Sequence, residues 1–306
     1  MKFPHILYTL LFVFAIGCTG TSNDDASNEK PTIVATTSIV ADIVKNICSD
    51  FANVQSLMGP GVDPHLYKAS HGDIELLTKA DVVLYNGLHL EGKMSEILEK
   101  LKSQKTVLAV SDGIDPSAIR VINKEANVHD PHIWFDINLW SDGIQYVAQQ
   151  LAAKYPEHKT LIDANTTTYL HAIDSVHQAC LQLVATLPVE KRILITSHDA
   201  FEYFGQSYNF KVRGLQGIST LSESGLKDVT DMVNFIIDNK IKAVFVENSV
   251  PQKALRSVID GCQSKGHDVT VGGELFSDAL GADRTPEGTY LGMIYYNVET
   301  VIKGLK

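Results

Sequence analysis

The sequence predicts an α/β protein built as two lobes with mostly parallel sheets, joined by one long rigid helix. Three observations lead there. Short β-rich runs alternate with helical periodicities through residues 31–155, the order that produces parallel strands with crossover helices. The same alternation resumes over residues 188–306. Between them, residues 157–187 contain neither proline nor glycine and place Tyr169, Ile173, Val176, Cys180, Leu183 and Leu187 at steps of four and three, the spacing of one helix face. Such a helix would run roughly 46 Å. It is too polar to span a membrane and its stripe is short for a coiled coil, so a monomer is expected, with residues 156–187 linking an N-terminal lobe (31–155) to a C-terminal lobe (188–306).

The elements follow in order. Residues 32–36 are β-rich, and Ser38 is expected to cap a helix with Ile39, Ile43, Val44 and Ile47 on one face. A short strand over 54–57 ends at Gly59-Pro60-Gly61. Ser70 starts a helix carrying Ile74, Leu76 and Leu77, and residues 81–85 form a buried strand closed by Asn86-Gly87. An amphipathic helix is predicted over 91–102, a strand over 106–110, a less regular stretch over 112–130 and a helix over 138–155. Beyond Pro188, strands are predicted over 192–196, 211–215, 243–246 and 268–271, the last closed by Gly272-Gly273. Helices are predicted after Ala200, over 228–239, after Pro251, which suits a first helical turn, and over 286–303.

The first residues read as an export signal. Met1-Lys2 precedes an apolar run from Ile6 to Ile16 that is too short to cross a bilayer. Ala15-Ile16-Gly17-Cys18 resembles the bacterial lipoprotein cleavage box, so residues 1–17 are expected to be removed and Cys18 to carry a lipid. An ordinary signal peptide with an incidental cysteine is the alternative. Residues 18–30 are polar with almost nothing to bury, a flexible tether. The expected product is exported and membrane-anchored, facing the periplasm or cell exterior. The net charge of −10 argues against nucleic acid as a partner and is compatible with attracting cations. Cys48, Cys180 and Cys262 are widely spaced and form no Cys-x-x-Cys, so neither a zinc ribbon nor a thioredoxin motif is available. They allow at most one disulfide.

Two stretches stand out as candidate chemistry: Asp63-Pro64-His65-Leu66-Tyr67 and Asp130-Pro131-His132-Ile133-Trp134. Proline fixes its own φ and restricts the residue before it, so each histidine leaves a stiff turn in a defined direction. In open α/β sheets ligands gather outside the carboxyl ends of strands. His65, His198 and Asp278 follow predicted strands, and His132 belongs to the second Asp-Pro-His step. Two fall in each half, as a site between lobes requires. Three imidazoles and a carboxylate suit Zn²⁺ or Mn²⁺, whereas Ca²⁺ and Mg²⁺ prefer oxygen donors. Singly, His198 also fits a packing residue before a helix, and Asp278 a helix cap. His89, His129 and Glu274 are reserve candidates. His71, His158, His171, His177 and His267 have no comparable placement.

Beyond these residues, the order of Gly61-Val-Asp-Pro-His65-Leu-Tyr67, Asp130-Pro-His132-Ile-Trp134-Phe-Asp136, Ser197-His198-Asp199-Ala-Phe201-Glu-Tyr203-Phe204, Gly214-Leu-Gln-Gly217 and Gly272-Gly-Glu-Leu-Phe-Ser-Asp278-Ala-Leu280 resembles the cluster A-I solute-binding proteins of zinc and manganese ABC transporters. The resemblance spans nearly everything after residue 31. It implies two Rossmann-like lobes joined by one long rigid helix, with metal held in the interlobe cleft by His65, His132, His198 and Asp278. It also implies a solute-binding protein that hands its ion to the permease of the same system. Manganese-specific members are expected to carry Glu where this chain has His198, and zinc-specific ones a long His-rich loop that residues 112–130 lack. The nitrogen-rich donor set tilts the expectation to Zn²⁺, with Mn²⁺ as the alternative. A zinc hydrolase using the same cleft is the competing class; no His-Glu-x-x-His, Gly-x-Ser-x-Gly or phosphate loop is present. A surface adhesin is a third reading with no independent sequence support.

Overall fold

The computed structural model describes residues 30–306. The expected signal segment, Cys18 and the tether up to residue 29 lie outside the described residues. The first half is a four-stranded parallel sheet in the order β2-β1-β3-β4, made of β1 (Thr32–Ala35), β2 (Asn53–Ser56), β3 (Val82–Tyr85) and β4 (Thr106–Ala109). Its helices are α1 (Ser38–Cys48), α2 (His71–Lys79) and α3 (Ser95–Lys102). The chain leaves β1 first to one side and then to the other, which opens a crevice at the strands' carboxyl ends. Within the stretch expected to be irregular, β5 (Val121–Asn123) and β6 (Val128–His129) form a small antiparallel hairpin.

Next come α4 (Ile137–Lys154) and the long α5 (Lys159–Ala185), separated by a tight turn at Pro156–His158. The helical face read from the sequence points inward: Tyr169, Ile173, Cys180 and Leu187 are buried. Helices α1 and α4 pack on α5. In the second half, β7 (Ile193–His198) pairs in parallel with β8 (Lys211–Gln216), and β9 (Ala243–Glu247) with β10 (Thr270–Leu275). Helices α6 (Glu202–Tyr208), α7 (Leu226–Asp238), α8 (Lys253–Ser264) and α9 (Tyr290–Leu305) complete it, with α9 also packed against α5. Leu194, Phe201, Phe204 and Phe245 of the second half belong to the same buried apolar cluster as Ile33, Trp134 and Trp140 of the first.

Several boundaries differ from expectation for identifiable reasons. Thr37, not Ser38, caps α1 by accepting from the amide of Val40, leaving the Ser38 hydroxyl free to accept from the amide of Leu280. Gly272 and Gly273 do not close a strand; β10 runs through both. A Cβ on Gly272 would stand 2.8 Å from the Phe245 ring, and one on Gly273 2.3 Å from Thr300 of α9. Both glycines therefore permit close packing inside the strand, a role glycine takes where backbone approaches a neighbour. Cys48, Cys180 and Cys262 are buried, free thiols.

Candidate metal centre

Each of the four predicted donors arrives from a different piece of chain. His65 lies in the loop after β2, His132 in the turn before α4, His198 at the last position of β7, and Asp278 beyond β10. The strand at His198 ends two residues later than the sequence suggested, so the imidazole sits on a strand end. The structure brings all four together: one donor atom from each lies within 4.8 Å of every other. Their exposures are 3 % for His65, 0 % for His132 and His198, and 1 % for Asp278, so the group is enclosed by protein.

Local chemistry explains how the rings are aimed. In Asp130-Pro131-His132 the aspartate is more than a stiff lead-in: its Oδ1 accepts from the backbone N–H of His132 at 3.0 Å and meets the ring Nδ1 at 2.8 Å. Asn86 supports the same turn by donating to the Pro131 carbonyl at 2.9 Å. Glu247, the end of β9, does the equivalent for His198, accepting from its backbone N–H at 2.8 Å and meeting Nδ1 at 2.6 Å. With Nδ1 held by a carboxylate, each imidazole presents Nε2 to the centre, the arrangement that fixes orientation and raises basicity in histidine-ligated metal sites. The twin steps are not equivalent. Asp63 accepts only the backbone N–H of His65, at 2.8 Å, and its other oxygen turns elsewhere.

Around the centre, Nε2 of His132 and Nε2 of His198 are 3.3 Å apart, and each lies 3.4 Å from an oxygen of Asp278. A tetrahedral zinc with bonds of about 2.0–2.1 Å has ligand–ligand edges of roughly 3.3–3.4 Å. The edge between the two imidazoles therefore has the length that a shared ion imposes, while Asp278 turns Oδ1 to His132 and Oδ2 to His198. Nε2 of His65 is buried without a hydrogen-bond partner, an open lone pair or N–H next to the other donors.

Electrostatics separates the imidazoles. Burial pushes the His65 ring down to about 3, against a partial pull from Asp278, so it is neutral. For His132, burial acts downward but is outweighed by Asp130 and Asp278, which raise it above its ordinary value. His198 is also depressed by burial, yet Glu247 and Asp278 hold it well above normal. Asp278, which burial alone would push up, is kept well below the usual carboxylate range by His198 and His132. The metal-free centre thus holds protons on groups that a cation would displace.

The reserve candidates go elsewhere. Glu274 points outward from β10 and is exposed, His129 sits in the β6 hairpin and His89 is exposed in the loop after β3. His177 Nδ1 meets the Tyr208 hydroxyl at 3.3 Å, His158 stacks on Phe51 and His267 contacts the Ile241 carbonyl at 2.6 Å. Glu247 was not singled out from the sequence. Its signal was a lone carboxylate ending the buried run Ala243-Val-Phe-Val-Glu247, since a buried charge needs a partner. Glu247→Gln keeps the shape and removes the charge. It is expected to weaken zinc binding about 10–100-fold in a chelator-competition titration; an unchanged affinity would show that this carboxylate does not support His198.

Comparison with known proteins agrees with this geometry. The family described as ZnuA, zinc-uptake complex component A, periplasmic, matches residues 33–304. The manganese-binding lipoprotein MntA of Bacillus subtilis is 44% identical over 298 residues, covering 97% of each chain. The zinc-binding protein TroA of Treponema pallidum is 44% identical over 284 residues, 93% of this chain and 92% of that one. The solved structure of the periplasmic zinc-binding TroA from Treponema pallidum superposes with a TM-score of 0.88, covering 90% of this chain and 99% of that one. With motifs, fold and these matches in accord, the chain belongs to the ZnuA family, the cluster A-I metal-binding proteins.

Proposed function

We propose that this protein is the substrate-binding component of a metal ABC importer, with Zn²⁺ as its cargo and Mn²⁺ as the alternative. His65, His132, His198 and Asp278 hold the ion between an N-terminal lobe (31–155) and a C-terminal lobe (188–306), linked by the helical segment 156–187. The observation that carries this reading is the buried group of His65, His132, His198 and Asp278. One donor atom from each lies within 4.8 Å of every other, and the Nε2 atoms of His132 and His198 stand 3.3 Å apart, the edge of a tetrahedral zinc shell. The relatives' names divide between manganese and zinc. The nitrogen-rich donor set favours zinc by the general affinity order.

Four converging protein donors also favour a carrier over a hydrolase. Catalytic zinc keeps one position for water, whereas a closed shell leaves none. The ion is cargo, captured outside the cytoplasm and passed to the permease of the same system. Lipid on Cys18 would keep the monomeric carrier at the membrane, with residues 18–30 as its leash. A relative named as a manganese-binding lipoprotein and another named as a manganese ABC transporter substrate-binding lipoprotein support this placement. The direct test is to purify the full chain from metal-replete medium, measure bound metals by mass spectrometry and run zinc–manganese competition. One equivalent of zinc or manganese per chain is expected; a chain that retains neither would sink the reading.

A further inference from the structure

The four donors differ in how firmly their segments are held. The turn of His132 is tied into the second half, because the Trp134 indole donates to the Ser277 carbonyl at 3.0 Å and Tyr290 donates to the Trp134 carbonyl at 2.8 Å. His198 ends a paired strand and is braced by Glu247. Asp278 accepts from the Ser249 hydroxyl at 3.2 Å. His65 has no such brace on its Nε2, and its loop carries exposed Gly61, Leu66 and Lys68.

That loop is instead joined to the second half at two points. Thr220, only 6 % exposed, donates its hydroxyl to Asp63 Oδ2 at 2.5 Å. The other oxygen of the same carboxylate accepts the backbone N–H of His65. One side chain therefore links the segment between β8 and α7 to the backbone of a metal donor. At the second point, Gly61 has a φ of +70°, and a Cβ there would stand 3.2 Å from the Asn248 carbonyl. Asn248 in turn brackets Asp278, accepting from the Ser277 amide at 3.3 Å and donating to the Ala279 carbonyl at 3.2 Å.

We propose that Asp63 and Thr220 form a latch that holds the His65 loop closed over the site, and that breaking this hydrogen bond opens the route by which the ion leaves. The proposal rests on the metal-binding reading above and names positioning residues for it. Three donors stand on segments braced by paired strands, carboxylates or cross-half hydrogen bonds. The His65 loop is the segment that can lift with least disruption. A partly buried hydrogen bond to a carboxylate that is lost only on opening should slow release roughly tenfold.

Stopped-flow dissociation of zinc from the loaded full chain into excess chelator tests this. Thr220→Val conserves shape and removes the hydroxyl; it is expected to release zinc roughly tenfold faster, with the association rate little changed. Thr220→Ser should restore the slow rate, and Gly61→Ala, which pushes the loop off Asn248, should also speed release. A Thr220→Val chain that binds one equivalent and releases it at the wild-type rate overturns the latch, as does a Thr220→Ser chain as fast as the valine variant. If His132→Ala binds zinc as tightly as the wild type, it is the metal site itself that fails, not the latch.

Discussion

Replacing His132 by alanine is expected to abolish high-affinity zinc binding. Structural zinc sites gain about 10–16 kcal/mol from four ligands, so losing one donor costs about 3–4 kcal/mol, roughly a hundred- to thousand-fold in Kd. The apolar Trp134 ring that packs beside His132 offers no replacement donor. The same change takes the imidazole from Asp130, fully buried and left with the residue-132 backbone N–H and Arg120 at 3.4 Å, so the metal-free variant should also melt earlier. His65→Ala makes an informative pair, since no side-chain carboxylate braces the His65 ring. It should lose binding with little loss of metal-free stability. Calorimetric titration and thermal melts of the two variants check both halves of this expectation; wild-type affinity in His132→Ala would refute the assignment.

The second large effect is on pH. In the metal-free protein His132 and His198 are raised above the ordinary 6.5 by their carboxylate neighbours, despite burial acting the other way. Each carries a proton on Nε2 that zinc must displace, while Nδ1–H stays with Asp130 or Glu247. A group whose pKa is raised in the metal-free state holds its proton to higher pH, so acid favours the metal-free form and affinity falls as pH drops. The fall should already be under way above pH 6.5 and approach about tenfold per pH unit for each proton displaced. His65, pushed down to about 3, takes no part in this range. Calorimetry in buffers of different ionisation enthalpy should register proton release on binding at neutral pH. An affinity that stays flat between about pH 6 and 8 would contradict a site built on these two imidazoles.

Much of this was legible in the chain itself, where local rules apply. The alternation of strands and helices and the uninterrupted helical face of residues 159–185 depend on near neighbours. The four residues that the fold gathers into one group could be singled out because strand ends and stiff Asp-Pro-His turns are local features. What stayed hidden was set by tertiary contact. Glu247 meets His198 across 49 residues of sequence. Asp130 looked like a turn former, and only the folded chain shows its carboxylate on the imidazole. Gly272 and Gly273 read as strand terminators because nothing nearby in sequence reveals the Phe245 ring and Thr300 pressed against them. The hairpin of β5 and β6 escaped because three and two residues are too few to show a period.

The apolar cluster that runs from Ile33 through Trp134 and Phe201 to Phe245 has a thermodynamic consequence. Each half also has a smaller apolar cluster of its own, but the larger shared one couples them, so the molecule should denature in one cooperative step. Free energy supplied by the ion at the centre is then shared by the entire chain. Zinc should move the single melting transition upward as a whole, by an amount that grows with the logarithm of its free concentration. A protease that attacks only opened chains would therefore find every cleavage point protected together, including those remote from the ion.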